Sequence, residues 1–405
     1  MRTIRARPSC CVSTRKSAIR TSSSEEILSV ASPNNDVTLL IGGKAHSAWT
    51  SYSIDSDLLT PADAWDVRLT RPAGKMPDTV KSGAAVEVKV GDETVLVGYV
   101  DNVRRRTSKT EKTLSISGRD YAAILRDCSA PIFTAKQVTL ADVVANIVKP
   151  LGIKKVRIDT VQIQPTWDKI SVDPGDTAWD ALVHAAEGEG LWPWFEPDGT
   201  LVIGGPDYNA PPVASLILRE DGKGNNVEWF DEDDSIAERY SEVTVLGQAH
   251  GTHSSAGKHA IKTTVKDQGV TVYRPKVYVD HDAPNLAAAE ARAKKIISDS
   301  ALAAHTLKAS VKGHRTSDGV LWKPGQRVHV VWEEYGIDAI YFLMSRRFTG
   351  GRPGGTRTTL TLKEDGVWIL DAHPHSGRKH RHKKKGDGPL SLVVTDSTGN
   401  TTVTK

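Results

Sequence analysis

The sequence has few residues that carry covalent or metal chemistry. Its three cysteines, Cys10, Cys11 and Cys128, give neither a disulfide framework nor a metal-binding spacing. Two of them are adjacent in a basic, serine-rich stretch, which fits a reducing compartment where a protein folds without disulfides. This pattern excludes the class of small secreted domains that depend on disulfides.

The sequence also lacks the signatures of common enzymes. It contains no HExxH, GxSxG, P-loop, GxGxxG or CxxC motif. No stretch approaches the ~18–20 apolar residues that a transmembrane helix needs, and the N-terminal stretch lacks the apolar core of a secretory signal. We therefore predict a protein that is not an enzyme and that binds no cofactor or metal ion.

Positive charge is concentrated at the two ends of the chain. Residues 1–20 hold six Lys or Arg and no acidic residue, and 378–385 hold six more. The net charge of the chain is +4, so the rest of the chain has a net charge of about −8. A mildly acidic body argues against a broad nucleic-acid-binding face. We expect 1–36 to be a basic flexible arm and 372–405 a basic, low-complexity tail, and a nucleic-acid-binding scaffold that uses these ends stays open as an alternative.

Strand signals dominate the rest of the sequence. Short runs that are β-branched or alternate between apolar and polar residues are separated by Gly, Pro, Asp or Asn. They predict a mainly β protein of the α+β class, with antiparallel β-barrel domains at 37–130 and 211–371. The second barrel includes a long helix at 283–304.

Residues 131–210 between the barrels predict a small α/β domain. Thr139 is a plausible N-cap for a helix with an apolar stripe, and a second helix begins near Asp176. A hairpin follows, with its turn at 197–199.

One segment of the chain is repeated. Residues 83–105 align without gaps to 325–347 at a constant offset of 242, with six identities. The alternating valines of both copies predict one buried face on each strand. Any two β-meanders look partly alike, and an Arg pair can be a solvated strand end. Because Arg grips carboxylates across interfaces, we predict subunit or tube contacts at Tyr99, Arg104, Arg105, Tyr341, Arg346 and Arg347.

Several motifs occur in the order of a known family. They are AWTSYSI (48–54), VGYVDNVRRR (97–106), ISGRDYAAILRDCSAP (116–131), ERYSEVTVLGQA (238–249), VYRPKVYV (272–279), AEARAKKI (289–296) and DGVLWKPGQRVHV (318–330). In this order the chain resembles the P protein family of phage Mu, the baseplate hub proteins of contractile-tailed phages. The resemblance covers roughly 37–365 and none of its motifs performs chemistry.

The resemblance implies a structural role. It predicts a homotrimer in which two related tube-like β-barrel domains per chain form a pseudo-six-fold ring between the six-fold tail tube and the three-fold central spike. Partners would be the spike, tube or tube-initiator proteins, baseplate wedge proteins and the tape measure protein. DNA would pass nearby without specific binding. The protein would be made in the host cytoplasm and reside in the virion tail.

Two other readings of the sequence stay open. A cell-wall hydrolase would need a pair of carboxylates in a cleft, and a carbohydrate-binding module would use an exposed aromatic row, for which Trp192 and Trp194 are the candidate pair. The acidic run 231–234 could bind a hard cation, although we expect a solvated loop there. The histidine pairs His373/His375 and His380/His382 could ligate a metal, but they lie in the basic tail, where we expect a solvated linker.

Overall fold

The computed structural model describes residues 35–47, 49–70, 80–131, 134–135, 139–159, 170–171, 175–188, 190–249, 258–280, 286–351, 354–368, 392–395 and 401–404. Residues 1–34 of the predicted arm 1–36, the basic run 378–385 and the four tail histidines lie outside these residues. The described part is mainly β, as predicted. Its helices are concentrated in one insertion and in one long helix.

Seven strands form the first half of the main sheet. They are β1 (Val37–Ile41), β2 (Lys44–His46), β3 (Ser51–Asp57), β4 (Ala64–Thr70), β5 (Ala85–Val90), β6 (Glu93–Thr107) and β7 (Lys112–Asp120). Buried residues alternate with more exposed ones along β1 and β5, because successive side chains of a strand point to opposite faces. The strands pair antiparallel in the order β2-β1-β5-β6-β7-β4-β3.

An α/β unit follows β7. Its elements are α1 (Ala122–Asp127), β8 (Thr134–Ala135), α2 (Leu140–Val143), β9 (Val156–Ile158), β10 (Ile170–Ser171), α3 (Ala178–Gly188), β11 (Trp192–Phe195) and β12 (Leu201–Gly204). Thr139 caps α2 as predicted, because its hydroxyl accepts from the Asp142 N–H while the Asp142 carboxylate accepts from the Thr139 N–H. The helix continues as a π-turn over Val144–Val148 and a 3-10 turn over Lys149–Leu151. The predicted second helix and hairpin are confirmed as α3 and β11–β12.

The remaining elements build a second half of the main sheet and a small separate sheet. They are β13 (Ser215–Leu218), β14 (Trp229–Asp234), β15 (Glu242–Ala249), β16 (Lys258–Lys266), β17 (Pro275–Asp280), α4 (Leu286–Ala304), β18 (His305–Lys312), β19 (Arg327–Trp332), β20 (Ile337–Gly351), β21 (Gly355–Glu364), β22 (Leu392–Thr395) and β23 (Thr401–Thr404). β22 and β23 form a hairpin.

The separate sheet has its own core within the span predicted as the second barrel. Its strand order is β16-β15-β17. Val243 and Val245 of β15 pack against Ala289, Ala293 and Ile297 of α4, the described part of the predicted long helix. These five residues are almost fully buried, so strand and helix form one compact layer pair.

The two halves of the main sheet have the same strand order. In the first half it is β5-β6-β7-β4-β3, and in the second it is β19-β20-β21-β18-β14, with antiparallel pairing at every step. The flanking strands differ, because β1 lies antiparallel to β5 whereas β13 lies parallel to β19. The repeated segment found in the sequence therefore folds in the same way in both halves.

The two halves join into one open sheet. The final part of β20 pairs antiparallel with β3, which links the second half to the first edge to edge. Closing a half into a barrel requires its first and last strands to pair. Because β3 pairs with the other half instead, the described sheet does not close into the two predicted barrels, and that prediction is wrong for the single chain. A shared core that includes Trp65, Val67, Leu360 and Leu362 covers both halves.

Candidate assembly interface

The junction between β20 and β3, here called the seam, is closely packed. Phe348 faces Ile54, and both side chains are fully buried. Arg347 lies opposite Asp55, with its guanidinium 3.4 Å from the carboxylate. The seam thus combines an apolar pair on one face of the sheet with an ion pair on the other.

One glycine makes this close packing possible. Gly350 lies opposite Tyr52, and a Cβ atom at position 350 would be 2.3 Å from the tyrosine ring. The ring cannot easily move aside, because the Tyr52 hydroxyl is 2.7 Å from Nε2 of His314. A side chain at position 350 would therefore push the two strands apart.

A buried arginine stabilises the seam from the core side. Arg346 is 3% exposed, and its Nη1 donates to the carbonyl of Ile54 at 2.9 Å. Its guanidinium carbon Cζ lies 4.1 Å from the centroid of the Phe348 ring. Burial lowers the pKa of Arg346 to about 10, although the nearby Asp63 and Asp55 favour its charged form. Its Nε is buried without a hydrogen-bond partner among the described residues.

Two carboxyl groups lie in a cavity beside this arginine. The cavity has a volume of about 440 Å³, and Asp63, Asp120, Arg346, Trp194 and Trp322 are among its lining residues. Burial raises the pKa of Asp63 to about 7 and that of Asp120 well above its ordinary value. Sequence reasoning missed both residues, because Asp63 lies in no motif, the motif that contains Asp120 performs no chemistry, and the burial of both depends on distant parts of the chain.

The pairing registers allow the two halves to be compared residue by residue. Val86 of β5 corresponds to Val328 of β19, as the sequence alignment predicts. On the next strand, however, Val86 faces Gly98 whereas Val328 faces Tyr341. The equivalent positions of β6 and β20 thus differ by 243, and Tyr99 corresponds to Phe342.

The gapless alignment is therefore wrong by one residue along β6 and β20. The connection between β19 and β20 is two residues longer than the connection between β5 and β6. A bulge in β6 adds one residue to that strand, so the two halves differ by one residue beyond the bulge. A second pair of bulges, opposite β7 and β21, occurs at matching positions in the corrected register. In this register Arg104 corresponds to Arg347, and Arg105 to Phe348.

The six predicted contact residues have different environments. Tyr341 and Arg346 are buried within the chain and offer almost no surface to another subunit; burial also raises the pKa of Tyr341 to about 12. Tyr99 is half-buried, with its ring 5.4 Å from that of Tyr121. The exposed residues are Arg104, Arg105 and Arg347.

Two strand edges that are equivalent to the two sides of the seam remain open among the described residues. Residues 101–107 of β6 pair with β7 on one side only, whereas the equivalent part of β20 also pairs with β3. β14 pairs with β18 on one side only, whereas its equivalent β3 also pairs with β20. The strand pairing of the seam therefore occurs once within the described structure. Each of the two open edges corresponds to one strand of the seam and lacks the second strand there.

Comparisons with known proteins identify the family. Family models match residues 36–120 (Mu phage baseplate assembly protein GpP-like, N-terminal), 122–205 (baseplate hub protein gp44-like, second domain), 239–297 (tail protein NMB1110-like, third domain) and 299–367 (tail protein, C-terminal domain). The crystal structure of the tail protein from Neisseria meningitidis MC58 is 44% identical, with a TM-score of 0.75, over 84% of this chain and 99% of that one. The chain belongs to the Mu-like baseplate hub family.

Other relatives of this hub-family chain agree. Baseplate hub protein gp44 of Escherichia phage Mu is 24% identical over 90% of this chain and 96% of its own length. The 43 kDa tail protein of prophage MuSo2 from Shewanella oneidensis is 26% identical, with a TM-score of 0.73, over 82% of this chain and 99% of that one. These similarities support a structural role in a phage-tail baseplate, and the relatives are named as tail or baseplate components rather than enzymes.

The remaining sequence candidates lie at other places in this hub-family fold. Trp192 donates from Nε1 to the Leu58 carbonyl at 2.6 Å and packs against a buried cluster with Phe342 and Trp368, so it does not present an exposed sugar platform with Trp194. The acidic run 231–234 is part of strand β14, so the predicted loop is wrong.

Metal ligands and membrane spans can be judged for the described residues. They contain no group of three or more His, Cys, Asp or Glu that could hold a metal ion. No helix among them is long and apolar enough to span a membrane.

Proposed function

We propose that the protein is a trimeric hub that adapts the six-fold tail tube to the three-fold central spike. The observation that carries the proposal is the repeated strand order β5-β6-β7-β4-β3 and β19-β20-β21-β18-β14 within one chain. Three chains that each supply two such halves present six similar units around one axis. A closed ring of this kind offers quasi-six-fold contacts on one side and true three-fold contacts on the other.

The joint between the halves supports this arrangement. A seam of backbone hydrogen bonds, with Phe348 against Ile54 at its centre, connects the halves directly. Such a joint transmits load, which a hub between a tube and a spike must do. Function in this proposal is mechanical, and no turnover is involved.

The partners of such a ring follow from its symmetry. The tail tube or its initiator protein would bind the six-unit side, and the spike trimer would bind the opposite side. Wedge proteins and the tape measure protein are further proposed neighbours, and DNA would pass through the ring without base-specific contacts. The protein would be made in the host cytoplasm and incorporated into the virion tail.

Assembly of the purified protein tests the proposal. Light scattering of the full chain, alone and with the spike protein, is expected to give a mass of three chains, and adding the tube-initiator protein is expected to give six initiator subunits for every three chains. A particle with two, four or six copies of the chain would contradict the proposal. So would a protein that stays monomeric with both partners present.

A further inference from the structure

The two open strand edges carry opposite charges. β14 presents Asp231, Glu232, Asp233 and Asp234 in sequence, and its residues are largely exposed. The open part of β6 presents Arg104, Arg105 and Arg106, all exposed. Natural sheets often place charges on edge strands to prevent aggregation, but that explanation does not require one edge to be acidic and the other basic.

The seam within the chain fixes how these two edges would pair. In the seam, Arg347 lies opposite Asp55. The pairing registers place Arg104 of β6 at the position that Arg347 has in β20. Phe230 faces β18 at the place where Tyr52 faces β4. Three residues further along each strand, Asp233 of β14 therefore occupies the position of Asp55 in β3. The register of the seam transferred to the open edges therefore sets Arg104 opposite Asp233.

The same register brings the neighbouring charges together. Arg105 falls opposite Glu232 and Arg106 opposite Asp231, while Val103 falls opposite Asp234. Directly opposite residues of antiparallel strands have Cβ atoms about 5 Å apart, which suits ion pairs. Shifting β14 by one residue against β6 would still place arginines opposite acids. It would, however, turn the side chains of one strand to the opposite face of the sheet from that seen in the seam.

The two edges lie far apart within one chain. Within one chain β14 and β6 are separated by seven strand spacings, roughly 34 Å along the sheet. We propose that β14 of one subunit pairs antiparallel with residues 102–107 of β6 in the next subunit, with Arg104–Asp233, Arg105–Glu232 and Arg106–Asp231 as cross-strand pairs. This inference rests on the proposed trimer and names the surface through which its copies bind.

The pairing makes the ring continuous. Each subunit then contributes one internal seam and one seam shared with its neighbour, so three copies have six seams in alternation. The contact is head to tail, and such contacts close into a ring when the rotation between copies fits. The inter-subunit seams replace the apolar Phe348–Ile54 pair with the ionic Arg105–Glu232 pair, so they depend more strongly on salt.

Disulfide formation tests the register. The full chain with Cys10, Cys11 and Cys128 changed to Ser carries Arg104→Cys together with Asp233→Cys, and it is oxidised with diamide after the trimer has formed. The expected product is a covalent trimer on a denaturing gel. The control pairs Arg104→Cys with Asp231→Cys, two residues or about 7 Å further along the strand, and is expected to give little product.

Charge exchange tests the ion pairs independently. Arg104→Glu places two acids opposite each other and is expected to weaken the trimer by about tenfold or more, and Asp233→Arg is expected to do the same. The double variant Arg104→Glu/Asp233→Arg restores the opposite charges and is expected to recover most of the affinity. Analytical ultracentrifugation at low and high salt measures both effects.

The outcomes separate the inference from the proposed function. A trimer that forms normally but yields no in-register disulfide, and that tolerates Arg104→Glu, overturns the inferred seam and leaves the trimeric hub standing. If the parent chain with native charges forms no trimer even with the spike present, the proposed function itself is contradicted.

Discussion

The closed seam and the open edges show how one strand arrangement serves two purposes. At the seam, β20 and β3 bury Phe348 against Ile54 and hold a buried arginine beside them. At the equivalent open positions the chain has Arg105 and Glu232. An apolar pair suits strands that pair during folding, whereas a charged pair keeps an unpaired edge soluble until another strand arrives. The difference suits an internal joint that forms as the chain folds, and outer edges that pair only in the proposed assembly.

The largest expected difference between the two regions comes from their central side chains. Phe348→Ala removes a fully buried ring from the seam and is expected to lower the free energy of unfolding by about 3–5 kcal/mol. Arg105→Ala, the matched change at the open edge, removes an exposed side chain that donates to the Val80 carbonyl at 3.3 Å and is expected to alter it by about 1 kcal/mol at most. Urea denaturation at high salt and low protein concentration, where the proposed ionic contacts between subunits are weakest, measures both. Equal losses would show that the open edge is not open in the isolated protein.

The buried arginine gives the next largest effect. Arg346→Ala removes the donor to the Ile54 carbonyl and leaves the nearby Asp63 without its positive neighbour. Breaking a buried pair on one side typically costs about 3 kcal/mol. The double variant Arg346→Ala/Asp63→Asn is expected to be more stable than the sum of the two single effects predicts, which denaturation of all four proteins measures. Strict additivity would argue against coupling across the seam.

Asp63 gives a smaller effect that depends on pH. Its raised pKa means that the folded chain binds a proton more tightly than the unfolded chain, so stability is fully present below about pH 4 and falls as the pH rises toward 7. Asp63→Asn is expected to flatten this fall and to raise stability at pH 8 by on the order of 2 kcal/mol. Thermal denaturation from pH 4 to 8 measures this, with the exposed Asp318→Asn as control. An unchanged pH profile would mean that Asp63 titrates normally.

The smallest effect belongs to the exposed ion pair of the seam. Arg347→Ala is expected to cost less than about 1 kcal/mol, because both partners are largely solvated. Its counterpart Arg104→Ala is expected to leave the monomer's stability unchanged and to weaken self-association. Measuring unfolding and sedimentation on the same two variants distinguishes the internal seam from the outer one. If Arg104→Ala also lowered the free energy of unfolding of the monomer, the internal seam and the outer edge would not differ in the expected way.

Local features of the fold were predictable from the sequence. The alternating valines of β5 and β19 predicted strands with one buried face, and Thr139 and Asp142 form the predicted type of helix start. The repeat itself was visible because Gly83 and Gly325 precede equivalent strands. These signals are local, and each depends on a few neighbouring residues.

Long-range features were not predictable. The seam joins residues almost 300 positions apart, and no local pattern indicates that β3 pairs with β20 rather than closing its own half. The one-residue shift between Tyr99 and Tyr341 depends on a turn length and a bulge, which a gapless alignment cannot represent. The acidic run 231–234 was predicted as a solvated loop, but it forms the end of β14. Carboxylates have low strand propensity, and pairing with β18 overrides that preference.

An electron cryo-microscopy map of the assembled tail tests the central claim most directly. The account predicts three copies of this chain in one ring, with six half-sheets of alternating identity between the tube and the spike. A ring of six copies that each contribute one half-sheet, or three copies whose halves lie at different heights along the axis, would contradict it.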